Sequence, residues 1–419
     1  MKLHYYDPMF NICSEKMPFT IRIEFRMNDT VDGEILSDAF QTAIRRYPYF
    51  SVKVIEENGE LLTVHNNLPP VVYKGPQVYP LGGEEVNGHM FAISYEGKTI
   101  SFFASHVITD GCGFFPFSKT VLYYYLCKRH SVSLDPTGIR LADDPFFEDE
   151  CDNPYPEEKM RDAEPLFREP KGEYFRLKDG RLVHDSVRTV YTLRIREDET
   201  IRFTRGHDSS PCALCSSLMT KAIWNLHPEE HRDLVSAVSY NYRAAIGNRN
   251  NYRMLCNALK LRYPERLRNE DITKICTCTR GMVTVRMQPE NVLAYAEEKR
   301  QQLEKIAALP TLAAKKQVLG EMALQDSIDN TFSVSFVGNL DYGSLAPYIE
   351  SIRNFTDGSV HETIFLEVTD INGWFYINFL QGFSTDVYYK SFLEQLTENG
   401  IAYEELGSEP FCTADIVLP

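Results

Sequence analysis

The sequence feature that most constrains the fold is an apolar strand that runs straight into a histidine, an acid and two glycines. Residues 99–117 read TISFFASHVITDGCGFFPF. The segment TISFFASH is apolar enough to be covered on both faces, which is typical of a central strand in an α/β sheet. Helical spacing of apolar residues begins at Phe117 and continues through Val121 to Leu126. The pattern H-x-x-x-D-G is therefore predicted to lie in the loop from a buried strand to a helix, a common location for reactive groups.

Within this loop, His106 and Asp110 are the candidate catalytic residues. A histidine can accept a proton near neutral pH because its unperturbed pKa is about 6.5. Asp110 either braces the imidazole or makes an ion pair that fixes the loop, and Gly111 leaves room for a substrate. A core histidine with a turn-capping aspartate fits these residues equally well. Cys112 adds an alternative in which His106 activates a thiolate nucleophile.

Composition narrows the function classes. A chain of 419 residues with 43% hydrophobic residues can bury a large core, and we expect two domains. The net charge of −15, from 44 basic and 59 acidic residues, argues against nucleic acid or an anionic membrane surface as the main partner. The first residues, MKLHYYDPMF, contain neither a signal-peptide pattern nor an apolar run long enough for stable membrane insertion. We therefore expect a soluble, cytoplasmic protein.

The cysteines and a pair of histidines raise a second hypothesis, a structural zinc site. Cys212 and Cys215 form C-x-x-C, and Cys276 and Cys278 form C-x-C. The second spacing does not suit a zinc ribbon and the first lies within an apparent helix, so small buried thiols are the favoured interpretation. In HPEEH, residues 227–231, the proline after the first histidine suits a turn better than a zinc-binding helix. We therefore expect no metal site.

The chain divides into two halves with similar mixtures of strands and helices. Residues 1–185 form the predicted N-terminal half, which carries the H-x-x-x-D-G pattern and ends in an irregular, acidic, proline-rich crossover over residues 135–185. Residues 186–419 form the predicted C-terminal half. There, Asn372-Gly373 between two apolar runs is the strongest hairpin signal. The expected fold class is α/β, with a mixed sheet and flanking helices in each half.

The order of these elements resembles the chloramphenicol acetyltransferase-like superfamily of acyltransferases, which includes the condensation domains of peptide synthetases and the alcohol acetyltransferases. The early helix ends in IRRYPYF, similar to a basic, aromatic and proline-containing element of that family. SFFASHVITDGCGFFPF resembles its strand, H-x-x-x-D-G pattern and helix. VSYNYRAAIGNRNNYRMLCNAL resembles its strand with an arginine, followed by an asparagine-containing strand. The resemblance extends over nearly the whole chain.

The resemblance implies two chloramphenicol acetyltransferase-like domains with an active-site tunnel at their interface. It makes His106 the general base and Asp110 a structural acid. Gly111 becomes the glycine that keeps the acceptor path open. It also makes Arg243 the partner of Asp110.

The developing oxyanion of such a reaction needs a hydrogen-bond donor, and three residues are candidates from their strand-end positions. They are Asn257, Ser335 and Asn339. Two departures from the family pattern leave the branch open. Ser105 stands where condensation domains usually carry a further histidine, and the nearest stretch to the plant-type D-F-G-W-G motif is NLDYG, residues 339–343.

The resemblance implies transfer of an acyl group from a thioester to a hydroxyl or amine of a small molecule. The leading hypothesis uses acyl-CoA as co-substrate, without a permanently bound cofactor, because the thioester itself carries the activation. One alternative is a condensation-like enzyme whose acyl donor is bound to an acyl carrier protein. Another is a non-catalytic binding protein of the same fold. Because one chain would hold both halves of the tunnel, we expect a monomer.

Overall fold

The computed structural model alternates strands and helices around three sheets. It describes residues 5–6, 8–14, 17–153, 155–167, 173–177, 184–328, 330–338, 340–356, 363–411 and 413–419. The strands are β1 (Tyr5–Tyr6), β2 (Thr20–Met27), β3 (Val52–Glu57), β4 (Glu60–His65), β5 (Val72–Lys74), β6 (Phe91–Glu96), β7 (Thr99–Ser105), β8 (His184–Arg196), β9 (Leu234–Asn241), β10 (Cys256–Tyr263), β11 (Phe332–Phe336), β12 (Ile349–Thr356), β13 (Ile364–Ile371), β14 (Trp374–Phe383) and β15 (Tyr403–Phe411). The helices are α1 (Gly33–Ala43), α2 (Gly111–His130), α3 (Glu157–Met160), α4 (Glu197–Gly206), α5 (Pro211–Leu226), α6 (Arg243–Ile246), α7 (Ile272–Arg286), α8 (Pro289–Ala307), α9 (Leu312–Ile328) and α10 (Val387–Glu398).

Two large sheets organise the molecule. A five-stranded sheet has the order β12-β2-β7-β6-β5, and a seven-stranded sheet has the order β10-β9-β11-β13-β14-β8-β15. Both are mixed, because β5 runs parallel to β6 and β11 runs parallel to β9 and β13, whereas the other neighbours are antiparallel. The predicted α/β class with mixed sheets is confirmed. Among the described residues, no helix is both long and apolar enough to cross a membrane.

Strand β7 lies at the centre of the five-stranded sheet, buried on both faces as its apolar sequence predicts. Ile100, Phe102 and Ala104 belong to the main core cluster with residues of α1 and α2. On the opposite face, Phe103 packs with Ala414 from the C-terminal segment. Burying one such phenylalanine contributes roughly 1.5–3 kcal/mol relative to leaving it exposed. The strand that leads to His106 is therefore a rigid part of the molecule.

A helix cap and a hairpin turn that the sequence of the second half indicates are confirmed. Ser210-Pro211 is typical of a helix cap followed by the first helical residue, and α5 begins there, with the Ser210 hydroxyl accepting a hydrogen bond from the amide of Ala213 at 3.3 Å. The hairpin of β13 and β14 turns at Asn372 and Gly373, with φ values of 51° and 78°. Two successive positive φ angles match the turn that Asn-Gly favours between antiparallel strands.

Segments from the second half complete the first. Strand β12 pairs antiparallel with β2 in the five-stranded sheet, so that Ile352 lies opposite Phe25. Near the C-terminus, the amide of Leu81 donates to the carbonyl of Asp415 at 2.9 Å, and the amide of Val417 donates to the carbonyl of Leu81 at 2.8 Å. The division at residue 185 stays a prediction, and these strand pairings cross it.

Within the crossover predicted over residues 135–185, a buried carboxylate anchors the chain. Glu150 is 1% exposed and accepts two hydrogen bonds from the guanidinium of Arg46, at 2.8 and 2.6 Å. Arg140 donates to the same carboxylate at 2.9 Å. The carbonyl of Glu150 also accepts from the amide of Tyr252 at 2.7 Å. The IRRYPYF stretch, the crossover and the C-terminal half therefore meet at one residue.

Glu150→Ala is expected to lower the free energy of unfolding by roughly 3–5 kcal/mol, because it removes the carboxylate that pairs with the buried Arg46. Urea unfolding measures the loss. Glu157→Ala, which removes an exposed ion pair with Arg161, is the control and should leave stability nearly unchanged. Equal, small losses in the two variants would contradict an anchoring role for Glu150.

Candidate active site

The loop that carries the motif is shorter than the sequence predicts. The prediction placed Asp110 and the glycines in a loop, with helical periodicity resuming after them. In the structure β7 ends at Ser105 and α2 begins at Gly111, so the loop covers only residues 106–110. The helix starts early because Asp110 is its N-cap, and its carboxylate accepts a hydrogen bond from the amide of Gly113 at 2.8 Å.

Two hydrogen bonds that involve Tyr49 and Tyr252 fix the conformation of this loop. The hydroxyl of Tyr49 donates to the carbonyl of Ile108 at 2.5 Å, and the hydroxyl of Thr109 donates to the carbonyl of Tyr252 at 2.8 Å. The rings of Tyr49 and Tyr252 both pack against Phe50. The IRRYPYF stretch and the segment before β10 therefore fix the loop by hydrogen bonds as well as by apolar contact.

His106 is oriented by its own loop. Its Nδ1 lies 2.9 Å from the carbonyl oxygen of Thr109. A carbonyl can only accept a hydrogen bond, so Nδ1 carries the proton and Nε2 holds the free lone pair. The imidazole stacks on the ring of Phe19, with centroids 4.9 Å apart and planes 15° apart. Burial lowers the pKa of His106 below its ordinary value of 6.5, although the Asp110 carboxylate and the bond to Thr109 act in the opposite direction.

A cavity of about 260 Å³ lies beside His106, between the two halves. From the N-terminal half it is lined by Met9, Met17 and Phe19. From the C-terminal half it is lined by residues of β9, β10, β11, β13, α8 and α9, including Lys299. Because Nδ1 of His106 is engaged, Nε2 is the ring nitrogen available to a ligand in this cavity.

A larger cavity of about 430 Å³ lies elsewhere, against β2 and β12. Its lining includes several charged side chains, among them Glu24, Arg26 and Arg353. Glu24 is buried and its carboxylate is paired with Arg353. This lining contains no histidine or other group that ordinarily exchanges a proton near neutral pH. The chemistry of the lining residues, rather than the size of the cavity, selects the cavity beside His106.

The carboxylate of Asp110 faces Arg243 rather than the imidazole. Its two oxygens accept hydrogen bonds from the guanidinium of Arg243, each at 2.8 Å. One oxygen also accepts from the amide of Gly113, and the other accepts from the amide of Leu255 at 2.8 Å. Of the two roles that the sequence left open for Asp110, the structure therefore favours the ion pair.

The guanidinium of Arg243 is equally well satisfied. Besides Asp110, it donates to the carbonyl of Asn251 at 2.8 Å and to the carbonyl of Arg253 at 2.7 Å. The amide of Arg243 donates to the side chain of Asn241 at 2.9 Å. The ion pair thereby connects the N-terminus of α2 to the segment between β9 and β10, which belongs to the other half.

The two glycines after Asp110 differ in what surrounds them. A Cβ atom on Gly113 would lie 2.2 Å from the carbonyl oxygen of Tyr252, so only glycine fits there. A Cβ atom on Gly111 would lie 3.3 Å from Cγ1 of Val337, a closer contact than most side chains make. The close approach at Gly113 packs α2 against the carbonyl of Tyr252, which also accepts the hydrogen bond from the hydroxyl of Thr109.

The three candidate oxyanion or acceptor contacts are not equivalent. Asn257 lines the cavity beside His106, and its Oδ1 accepts a hydrogen bond from the amide of Ala258 at 2.8 Å, which leaves its NH₂ group as the possible donor. Ser335 lies opposite Glu367 in the pairing of β11 with β13, outside the lining of this cavity. Asn339 lies outside the described residues.

The thiol-nucleophile alternative finds no support in the geometry. Burial raises the pKa of Cys112 to about 11, with a further contribution from Asp110. A thiol with so high a pKa is protonated near neutral pH, and only the thiolate is nucleophilic. Nδ1 of His106 is engaged with a carbonyl rather than with this thiol.

The cysteines and histidines of the zinc hypothesis lie in environments that do not resemble a metal site. Burial raises the pKa of Cys212 to about 12. His227 contacts the hydroxyl of Tyr388 at 2.7 Å, and His231 contacts the carboxylate of Glu265 at 2.6 Å, so the two rings have different partners. Across the described ranges, no three His, Cys, Asp or Glu side chains gather where they could hold a metal ion.

Sequence reasoning missed three residues that shape the site: Phe19, Thr109 and Tyr252. Thr109 and Tyr252 act through backbone carbonyls, for which residue type gives no signal. Phe19 reaches His106 because β2 pairs with β7, with Thr20 opposite Ser105. The alternating apolar residues of FTIRIEFRM, residues 19–27, predict a strand, and pairing this strand with TISFFASH would have brought Phe19 to the motif.

Comparison with known proteins identifies the fold. No protein-family model matches the sequence, and no curated protein matches it. TRI101 of F. sporotrichioides, complexed with coenzyme A and T-2, has a TM-score of 0.59 at 11% identity, over 96% of this chain and 100% of that chain. Polyketide synthase associated protein 5 of Mycobacterium tuberculosis has a TM-score of 0.58 at 13% identity, over 91% and 94%.

A condensation domain has the same architecture. The starter condensation domain of rhizomide synthetase RzmA, as a variant in complex with C8-CoA and Leu-SNAC, has a TM-score of 0.58 at 13% identity, over 92% of this chain and 90% of that chain. The chain therefore has the chloramphenicol acetyltransferase-like fold, as the sequence resemblance implies. Identities of this size establish the fold alone.

Asp110→Ala is expected to lower the free energy of unfolding by roughly 3–5 kcal/mol, because it leaves Arg243 buried without its partner. His106→Ala should cost much less stability, since the imidazole is hydrogen-bonded to a neutral carbonyl and its loss leaves no buried charge without a partner. Thermal unfolding of both variants checks this division. A double-mutant cycle with Arg243→Ala should give losses well below the sum of the single variants. Equal melting losses for Asp110→Ala and His106→Ala would contradict the assignment.

Proposed function

We propose that this protein is an acyltransferase that moves an acyl group from a thioester, acyl-CoA in the leading case, to a hydroxyl or amine of a small-molecule acceptor. The observation that carries the proposal is His106, whose Nδ1 is bound to the Thr109 carbonyl while Nε2 is available in a cavity between the two halves. Structures of the same fold in complex with coenzyme A or C8-CoA support a thioester donor. No permanently bound cofactor is needed, because the thioester is already activated.

In the proposed reaction, Nε2 of His106 takes the proton of the acceptor hydroxyl or amine as that group attacks the thioester carbonyl. A carbon–oxygen or carbon–nitrogen bond forms, and the carbonyl oxygen becomes an oxyanion. When the tetrahedral intermediate collapses, the carbon–sulfur bond breaks and the imidazolium returns its proton to the departing thiolate. Burial supports this role, because it keeps the imidazole in the neutral form that can accept a proton.

The remaining site residues have supporting roles in this proposal. Asp110 and Arg243 hold the loop, and Gly111 begins the helix that follows it. Asn257 is the favoured oxyanion or acceptor contact because it lines the cavity. Both halves that line the cavity come from one chain, which supports a monomer.

The proposal is tested by thiol release from a panel of acyl-CoA thioesters with mixed alcohol and amine acceptors. We expect acceptor-dependent release by the unmodified protein and a loss of roughly 10²- to 10⁴-fold in His106→Ala, the usual contribution of a general base. His231→Ala changes an exposed histidine paired with Glu265 and should release thiol at the unmodified rate.

Two outcomes would redirect the proposal. Release that is unaffected by His106→Ala would exclude His106 as the base. If folded, unmodified protein releases no thiol from any acyl-CoA, the same assay with acyl groups loaded on carrier proteins decides between a condensation-like enzyme and a non-catalytic binding protein.

The pH dependence follows from the environment of His106. The base must be neutral to act, and burial lowers its pKa below 6.5. The acid limb of kcat/KM should therefore have its midpoint below pH 6.5. The steady-state rate at limiting substrate, measured from pH 5 to pH 8, checks this expectation. An acid limb whose midpoint lies above pH 6.5 would contradict the neutral, desolvated imidazole.

A further inference from the structure

Phe19 has a backbone conformation that is unusual for an aromatic residue. Its φ angle is 54°, in the left-handed region. The other described non-glycine residues with positive φ are small and polar, and they are Asn58, Asn87, Ser131, Asp208 and Asn372. Asparagine and aspartate tolerate this region because their short side chains bond to nearby backbone. A bulky side chain is a genuine outlier there, and such strain persists only where the surroundings fix the residue.

The backbone around Phe19 is fixed by the strand end that presents the motif. The carbonyl of Phe19 accepts a hydrogen bond from the amide of His106 at 2.8 Å. The next residue, Thr20, begins β2 opposite Ser105, and its hydroxyl donates to the carbonyl of Ala414 at 2.8 Å. These contacts hold the main chain of Phe19 against the first residue of the loop.

In this position the ring of Phe19 covers one face of the His106 imidazole. It lies nearly parallel to the His106 ring, 4.9 Å away, and it lines the same cavity. We propose that Phe19 is a positioning residue for the base: its ring fixes the plane of the His106 imidazole and shields one face of that ring from water. This inference rests on the proposed function, because it takes His106 to be the base. The effect of the stacking on the imidazole can nevertheless be tested without turnover.

Other ionisable groups face His106 from several elements. Asp110 acts from the start of α2. Tyr155 of the crossover, Cys256 of β10 and Lys299 of α8 line the cavity. None of these changes when Phe19 is substituted, so a change in the titration of His106 reports on the ring that covers it.

The test compares Phe19→Ala with Phe19→Tyr. Phe19→Ala removes the ring, and we expect kcat to fall roughly three- to tenfold, the range that an aromatic stacking contact supports. The pKa of His106, followed by NMR titration of its ring protons, should rise toward 6.5 because water reaches the exposed face. Phe19→Tyr keeps the ring and should restore both values. On a His106→Ala background, Phe19→Ala should cause no further loss of rate.

The chain offers a matched control. Phe203 is also partly buried and stacks on a histidine, His207, with centroids 3.8 Å apart, on α4 and outside the cavity. Phe203→Ala should cost stability without changing kcat or the titration of His106. If Phe19→Ala does not fold, Phe19→Leu, which keeps an apolar side chain but no ring, replaces it.

Two results would overturn the inference: an unchanged His106 titration in the ring-less variant, or a Phe19→Tyr variant as impaired as Phe19→Ala. Should no acyl donor be turned over, the titration of His106 still decides whether Phe19 controls the imidazole. Failure of the proposed function and failure of this inference are therefore distinguished.

Discussion

The ion pair between Asp110 and Arg243 is the interaction on which the rest of the site depends. Each buried charge loses hydration energy on the order of several kcal/mol, so a buried pair is tolerated only when its polar atoms are satisfied. The carboxylate meets this demand with two bonds from Arg243 and two from backbone amides, including that of Gly113 at the start of α2. Arg243 lies between β9 and β10 of the other half. The charges are satisfied only when the two halves are correctly aligned.

That alignment reaches the imidazole through a short path of backbone. Asp110 fixes where α2 begins, and the loop of residues 106–110 must then close the distance to the end of β7. Tyr49 and Tyr252 hold the loop at Ile108 and Thr109, and Glu150 ties Tyr252 to the crossover. The ring of His106 is therefore positioned by contacts from both halves, although the hydrogen bond of its Nδ1 lies within the loop itself, to the carbonyl of Thr109.

The predictions that succeeded from sequence alone rest on local chemistry. Strand β7, the cap at Ser210 and the hairpin at Asn372 each follow from residues that are adjacent in the chain. The contact of Arg243 with Asp110 could be anticipated only by resemblance, since 133 positions separate the two residues. The pairing of β12 with β2 and the contact of Phe19 with His106 do not follow from periodicity alone, because periodicity specifies which face of a strand is buried but not which strand lies beside it.

The pairing of Asp110 with Arg243 has a chemical consequence for His106. Because both oxygens of Asp110 are occupied by Arg243 and by backbone amides, the Nδ1 proton of the imidazole faces a neutral carbonyl instead of a carboxylate. A carbonyl fixes the tautomer but carries no full counter-charge for an imidazolium, and burial, the largest effect, disfavours the charged ring. If His106 acts as the proposed base, this environment favours ready return of the proton that it accepts. Acyl transfer from a thioester suits this property, because the departing thiolate takes the proton within the same turnover.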